Sequence, residues 1–257
     1  MAPYKNEELI LSCKGLNVNY GDKKILKDIN FDIHNITRPN MTQGQIIALV
    51  GQSGIGKTSL FRPLAGFEKP TSGEILIGLE QKPVKIGNVG VVTQSYNLLE
   101  HLKVKGNLLL TGRKLEEVEA LASEFDMLKH FDKFPAQLSG GQRQRIAILQ
   151  QVLKDNDFIL LDEPFSGLDP IMLKKTVSLI QRTSTMSEMK TFIIVSHDLL
   201  NCSALADTIF LLTKPVETEG ASINYKYDLA EMGLAWTPDI KKNKMLYDII
   251  EDIEKKM

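Results

Sequence analysis

The eight residues Gly51-Gln-Ser-Gly-Ile-Gly-Lys57-Thr58 constrain this chain more than any other segment. They satisfy G-x-x-x-x-G-K-[ST] at every defined position. Glycines at that spacing let the backbone turn tightly, so that successive N–H groups face the oxygens of one phosphate chain. Lys57 adds a point charge for the β- and γ-phosphates, and the Thr58 hydroxyl is a ligand for Mg2+. The apolar run 46–50 precedes the loop and helix-compatible residues follow it, so the loop joins a buried strand to the positive end of a helix. A glycine-rich turn that merely carries a lysine would not need that context. Gly51, Gln52, Ser53, Gly54, Ile55, Gly56, Lys57 and Thr58 are therefore the candidate nucleotide-binding residues. By itself the loop says only that a nucleoside triphosphate is bound, because kinases, GTPases and many ATPases share it.

The surrounding pattern is that of an α/β chain. Residues 158–161 and 191–195 are continuous apolar runs, as expected of parallel strands covered on both faces. Residues 74–77 and 89–93 read as shorter strands. Ahead of the loop, Leu16, Val18 and Tyr20 alternate with Asn17 and Asn19. A Gly21-Asp22 turn and then Ile25, Leu26, Ile29, Phe31 and Ile33 complete an antiparallel hairpin. Residues 34–43, with Asn, Thr, Pro and Gly, read as a loop. Pro63 lacks a backbone donor, so the helix after Lys57 should kink or become irregular there.

Residues 98–135 read as helical. Leu115, Val118, Leu121, Phe125 and Leu128 recur at spacings of three and four along one face. A further helix should begin at Ser139, and Leu246, Ile249, Ile250 and Ile253 mark an amphipathic helix near the end. The expected fold is a P-loop NTPase core with a parallel sheet, an N-terminal antiparallel β-subdomain and a helical insertion. Residues 1–257 would form a single domain, with a helical subdomain at about 97–150 and a short C-terminal helical tail at about 215–257.

Composition excludes several classes. With 31 basic and 32 acidic residues, the formal charge is −1, which offers no electrostatic footprint for nucleic acid. The only cysteines, Cys13 and Cys202, are far apart. That spacing suits a reducing compartment and rules out a CxxC metal site. No apolar run approaches the ~18–20 residues of a membrane span, and the first residues lack a signal-peptide core. A cytoplasmic chain is expected.

Two further segments carry chemistry. Phe158-Ile-Leu-Leu-Asp162-Glu163 delivers two acids at the C-terminal end of a buried strand, where open α/β sheets bind ligands. Asp162 is placed to hold Mg2+ and Glu163 to accept a proton from an attacking water. Alternatively the acids only open the turn before Pro164, a reading that the phosphate loop upstream weakens. Leu138-Ser-Gly-Gly-Gln-Arg-Gln-Arg145 is the more specific of the two. Ser139 and Gln142 make a capping box at a helix start. Gly140 and Gly141 leave N–H groups open there, which makes the terminus an anion site. A capped helix start alone explains Ser139 and Gln142 but not the double glycine.

Through this LSGGQ segment the chain resembles ABC ATPases, and the family's motif order is met from about residue 10 to residue 212. The resemblance implies ATP and Mg2+ as cofactors. It implies that Tyr20 stacks on adenine, where otherwise Tyr20 would be a core strand tyrosine. Gln94, after Val-Val-Thr, would sense Mg2+ and the γ-phosphate, so the metal set is Thr58, Gln94 and Asp162. His197 would be a switch near the γ-phosphate, so the catalytic set is Glu163, His197 and Gln94. Ser139, Gly140, Gly141 and Gln142 would cap the ATP held by the other subunit. Asp169, in Ser166-Gly-Leu-Asp, would lie at the dimer interface. The expected assembly is a homodimer, or a pseudo-dimer with a paralogue.

The implied function is that of an importer-like ATP-binding subunit. It would hydrolyse ATP to drive a separate membrane permease from the inner face of the cell membrane. A groove for that permease is expected at residues 96–101, with Leu98 or Leu99 exposed. A soluble ABC ATPase acting on nucleic acid or ribosomes would usually show a second cassette, a coiled coil or a basic surface, and no nucleic-acid partner is expected here. A small-molecule kinase would leave LSGGQ unexplained.

Overall fold

The computed structural model describes residues 5–37, 44–215, 219–237 and 239–257. The chain opens with β1 (Lys5–Tyr20) and β2 (Lys23–Thr37), antiparallel across the Gly21-Asp22 turn. Then come β3 (Gln45–Val50), α1 (Lys57–Leu64), β4 (Ser72–Ile77), β5 (Lys82–Pro83) and β6 (Val89–Val92). Three helices follow, α2 (Val104–Leu109), α3 (Leu115–Glu124) and α4 (Gly140–Leu153). The chain then alternates through β7 (Phe158–Asp162), α5 (Pro170–Ser184), β8 (Thr191–Ser196), α6 (Leu199–Leu205) and β9 (Thr208–Thr213). It closes with β10 (Ser222–Asp228) and α7 (Lys244–Lys256).

Two sheets result. The smaller has the order β2-β1-β4-β5, and the larger the order β10-β9-β3-β8-β7-β6. In the larger sheet β3, β6, β7, β8 and β9 are parallel, and β10 runs antiparallel along β9. Alternate side chains of one strand feed two separate cores. Ile46, Ala48 and Val50 join the core on the helical side with α4, α5 and α7. Ile47 and Leu49 join the core that α1 and the small sheet share. β7, β8 and β9 divide their side chains in the same way. Burial on both faces is why these strands read as unbroken apolar runs.

Four expectations change. Residues 34–37 are strand, because β1 is long enough to pair β2 as far as Thr37 opposite Lys5; residues 38–43 lie outside the described residues. Residues 98–135 are not one helical stretch. α2 and α3 are separated by a turn at Gly112 (φ 77°), and α3 ends before Asp126, whose φ of 59° reverses the chain. Leu128 is consequently exposed while Val118 and Phe125 are buried. The helix carrying Pro63 ends one residue later, at Leu64, because Pro63 has no N–H to donate to the Ser59 carbonyl. The C-terminal tail is not helical throughout, since β10 lies within it and extends the sheet.

Asp207 anchors the strand that leads to the phosphate loop. It is fully buried before β9. Its carboxylate accepts from the backbone N–H of Ile46 (2.8 Å) and from the Trp236 indole N–H (3.1 Å). The first residue pair of the β3 region is thereby tied to the C-terminal segment. Asp207→Ala leaves both donors without that acceptor in a dry interior. The expected loss is about 2–4 kcal/mol of unfolding free energy, measured by chemical denaturation; a change near zero would show that neither bond contributes.

Candidate nucleotide site

Strand register brings four segments to one edge of the larger sheet. Val50 pairs with Ser196, Val195 with Asp162, and Leu161 with Val92. The phosphate loop, Ser196-His197, Asp162-Glu163 and Thr93-Gln94 therefore leave the sheet side by side. Loops at the C-terminal edge of a parallel sheet are where such folds bind ligands.

The loop Gly51 to Thr58 spans from β3 into α1. Gly56 sits at φ 117° as the N-cap of α1, a conformation that a side chain would strain, and Ile25 and Leu26 of β2 close the space beside it. Gln52, Ser53, Gly54 and Thr58 are exposed, and Gly51 and Lys57 are buried. The Lys57 ammonium donates to the carbonyl oxygens of Gly51 (2.9 Å) and Gln52 (3.0 Å) and lies 3.7 Å from Glu163 Oε1. Burial holds its pKa below the ordinary lysine value, against the pull of Glu163 and Asp162. The Gln52 side-chain amide donates to the carbonyl oxygen of Met257 (2.6 Å), so the end of α7 touches the loop.

Glu163 is the hub of the site. Its side chain is only 10% exposed, and its backbone adopts φ 49°, a left-handed conformation that costs about 1–3 kcal/mol for a residue with a Cβ. Its N–H donates to the carbonyl of Val195 (2.8 Å). Oε2 accepts from the Ser196 hydroxyl (2.7 Å) and the His197 backbone N–H (3.3 Å). Oε1 lies 2.9 Å from His197 Nδ1. Asp162 is half-buried at the end of β7. Burial pushes its carboxyl pKa up, Glu163 adds to the rise, and Lys57 opposes it.

A divalent cation fits this arrangement. Among the described residues no three His, Cys, Asp or Glu side chains gather to hold a metal on their own. Thr58 and Asp162 offer two hard oxygen donors, the kind of set with which Mg2+ binds while keeping water and phosphate oxygens. Two carboxylates against one ammonium also leave an excess of anion that such an ion relieves.

Gln94 is exposed just past β6, at the start of a turn in which Thr93, Ser95 and Asn97 bond one another and Tyr96 and Asn97 take φ of 63° and 49°. Tyr20 is 50% exposed, which removes the core-tyrosine reading, and its hydroxyl donates to Glu68 at 3.4 Å. It ends β1 beside the hairpin turn, a few residues from Ile25, which packs on Gly56.

Among the described residues, no hydrogen bond joins the signature segment to Lys57, Asp162, Glu163 or His197. Ser139 caps α4: its N–H donates to Gln142 Oε1 (2.9 Å) and its hydroxyl accepts from the Gln142 N–H (3.4 Å). Its two glycines have different reasons. A Cβ on Gly141 would lie 3.0 Å from Met172 Cβ, so α4 and α5 pack closely there and Met172 would have to give way to one. Gly140 is exposed, with only the Tyr96 hydroxyl near. Asp169 caps α5, accepting from the N–H groups of Ile171 (2.9 Å) and Met172 (3.0 Å). Two residues that the sequence pattern does not single out also bear on the site. Ser196 bonds Glu163, its only signal being a polar residue ending an apolar run. Gln144 donates to the carbonyl of Pro164, pinning the turn after Glu163 to α4.

Residues 33–166 match the family described as ABC transporter, a span that holds the phosphate loop, the signature and both acids. The maltose/maltodextrin import ATP-binding protein MalK of Yersinia pestis is 38% identical over 204 residues, covering 75% of this chain and 53% of the relative. The sulfate/thiosulfate import ATP-binding protein CysA of Pectobacterium atrosepticum is 32% identical over 222 residues, 80% of this chain and 64% of its own length. The chain thus spans little more than half the length of MalK. Among solved structures, cbiO1 from Clostridium perfringens, part of the ABC transporter complex cbiONQ, superposes with a TM-score of 0.72 at 25% identity, over 97% of this chain and 100% of the other. The dimeric cassette MJ0796 shares the fold, with a TM-score of 0.68 at 23% identity over 86% of this chain and 99% of the other. A match across more than half of the sequence, carried by the residues that build the site, places the chain in the ABC transporter family.

Proposed function

We propose that this chain binds ATP with Mg2+ and hydrolyses it to drive an importer through separate membrane subunits, working as a dimer. The observation that carries the reading is the convergence of Lys57, Glu163 and His197 on one point at the strand ends. The loop N–H groups and the start of α1 receive the phosphates. Lys57 exchanges its carbonyl partners for the β- and γ-phosphates. Mg2+, when held by Thr58, Asp162 and Gln94, neutralises phosphate charge. Glu163 Oε1 then takes a proton from water as the water oxygen bonds to the γ-phosphorus and the bond to ADP breaks. His197 turns from Glu163 to the γ-phosphate, and Tyr20 supports the adenine.

At the N-terminus of α4, Ser139 and Gly140 are exposed, Gln142 is half-buried and Gly141 is buried, and the capping hydrogen bonds stay within the segment. That suits a role in capping the nucleotide of a partner subunit, with Asp169 at the same interface. The import ATP-binding relatives support the importer class, and no described helix is long and apolar enough to cross a membrane. In this reading the work of hydrolysis passes to a membrane partner, with the chain on the cytoplasmic face of the membrane. Leu99 is the residue offered to it: 42% exposed, while Leu98 packs on the helical core. The Asn107 side chain bonds both the N–H (2.8 Å) and the carbonyl (3.0 Å) of Leu99, so its backbone is held in place in advance.

Glu163→Gln should retain ATP binding and slow turnover by roughly 10²–10⁴-fold, measured as phosphate release. Near-normal turnover would place the base elsewhere. The signature is tested in trans. Ser139→Arg and Lys57→Ala should each be inactive alone, but their mixed dimers would contain one intact composite site. Partial recovery of activity on mixing is expected, and none despite confirmed mixed dimers would count against shared sites. Leu99→Asp should lose co-purification with membrane subunits while basal hydrolysis and melting temperature stay close to wild type. Equal recovery of those subunits would remove this assignment.

A further inference from the structure

We infer that Ser196 is the positioning residue for hydrolysis, anchoring one oxygen of Glu163 so that the other is left for water. This rests on the ATPase reading above. The two carboxylate oxygens have partners of different kinds. Oε1 meets only side chains with somewhere else to go: the Lys57 ammonium at 3.7 Å and His197 Nδ1 at 2.9 Å, the latter on a ring 57% exposed. Both turn toward phosphate when ATP occupies the loop. Oε2 meets groups that do not move in that way, the Ser196 hydroxyl at 2.7 Å and the His197 backbone N–H at 3.3 Å. Ser196 is 0% exposed as the last residue of β8, held by pairing with Val50.

The direction of the Ser196 bond is also determined. A hydroxyl has one proton. A carboxylate oxygen only accepts, so that proton goes to Glu163, while Ser196 Oγ itself accepts from the Asp198 backbone N–H at 3.1 Å. Asp198 is in turn fixed as the cap of α6, accepting from the Asn201 N–H (3.0 Å) and the Asn201 side chain (2.7 Å). Asn201 accepts from Lys241 (2.6 Å), so the anchor is backed by a chain of bonds that ends in the C-terminal segment. With Oε2 pinned from behind, loss of Lys57 and His197 from Oε1 frees a lone pair without releasing the carboxylate to rotate. Ser196 touches no reacting atom and acts through Glu163.

Ser196→Ala removes one oxygen and leaves volume and strand propensity nearly unchanged. The expected result is a fall in kcat of roughly 10- to 100-fold, the range of one hydrogen bond to a charged group. KM for ATP, nucleotide affinity and melting temperature should stay close to wild type. Ser196→Thr keeps the hydroxyl and should recover most of kcat. In a Glu163→Gln background, Ser196→Ala should change residual turnover no further, since residues acting as one unit are not additive. A wild-type kcat in Ser196→Ala would overturn the inference, as would an added loss in the double variant. Unfolding of Ser196→Ala, or a matched loss of nucleotide affinity, would make the serine structural and equally overturn it. If Glu163→Gln alone keeps full turnover, the ATPase reading of Glu163 fails, a separate outcome from any Ser196 result.

Discussion

A parallel sheet covered on both faces can present chemistry only where its strands end. β3, β7, β8 and β9 each send alternate side chains into two cores, so their lengths are closed to polar side chains. Polar function is displaced to the C-terminal edge. There the register of β3, β8, β7 and β6 decides which loop stands beside which. The phosphate loop lies more than a hundred positions before the acid pair, and His197 lies 34 positions after Glu163. They meet because their strands pair.

The electrostatics of that edge explain its appetite for ligand. Lys57, Asp162 and Glu163 share a poorly hydrated space, where burial disfavours charge of either sign. The lysine is pulled down and Asp162 is pushed up by the same cause. Two acids facing one ammonium would repel a polyanion if they acted alone. The loop N–H groups and the α1 dipole counter that balance, and a divalent ion held by Thr58 and Asp162 would reverse it. The left-handed backbone at Glu163 is a second stored cost, held by its N–H bond to Val195 and by the Gln144 bond to Pro164.

The C-terminal segment is structurally continuous with the site. β10 widens the sheet, and Trp236 shares Asp207 with the start of β3. Leu246, Ile249, Ile250 and Ile253 of α7 enter the helical-side core. The Tyr227 hydroxyl and Lys256 both bond Asp252, at 2.7 and 2.5 Å. Exposed ion pairs of this kind contribute little on their own. The apolar face of α7 does the holding, and it brings Met257 against Gln52 of the phosphate loop.

Local features were legible because contiguous residues encode them. The phosphate loop, the Ser139–Gln142 capping box, the two-sided apolar strands and the apolar face of α7 all depend on short-range geometry or on a repeat of two or 3.6 residues. The sequence by itself thus determined the core class and the residue types of the site. Elsewhere the local signal gave way to pairing or to a turn, as in the strand at 34–37, the breaks within 98–135 and the strand inside the C-terminal tail. Tertiary structure alone decided that a side chain at Gly141 would crowd Met172 and that Ser196 bonds an acid 33 residues earlier in the chain. It also decided that Asp207 joins the phosphate strand to Trp236. Each of these depends on strand register and helix packing distance, quantities set by how two buried faces fill and carried by no single stretch of residues.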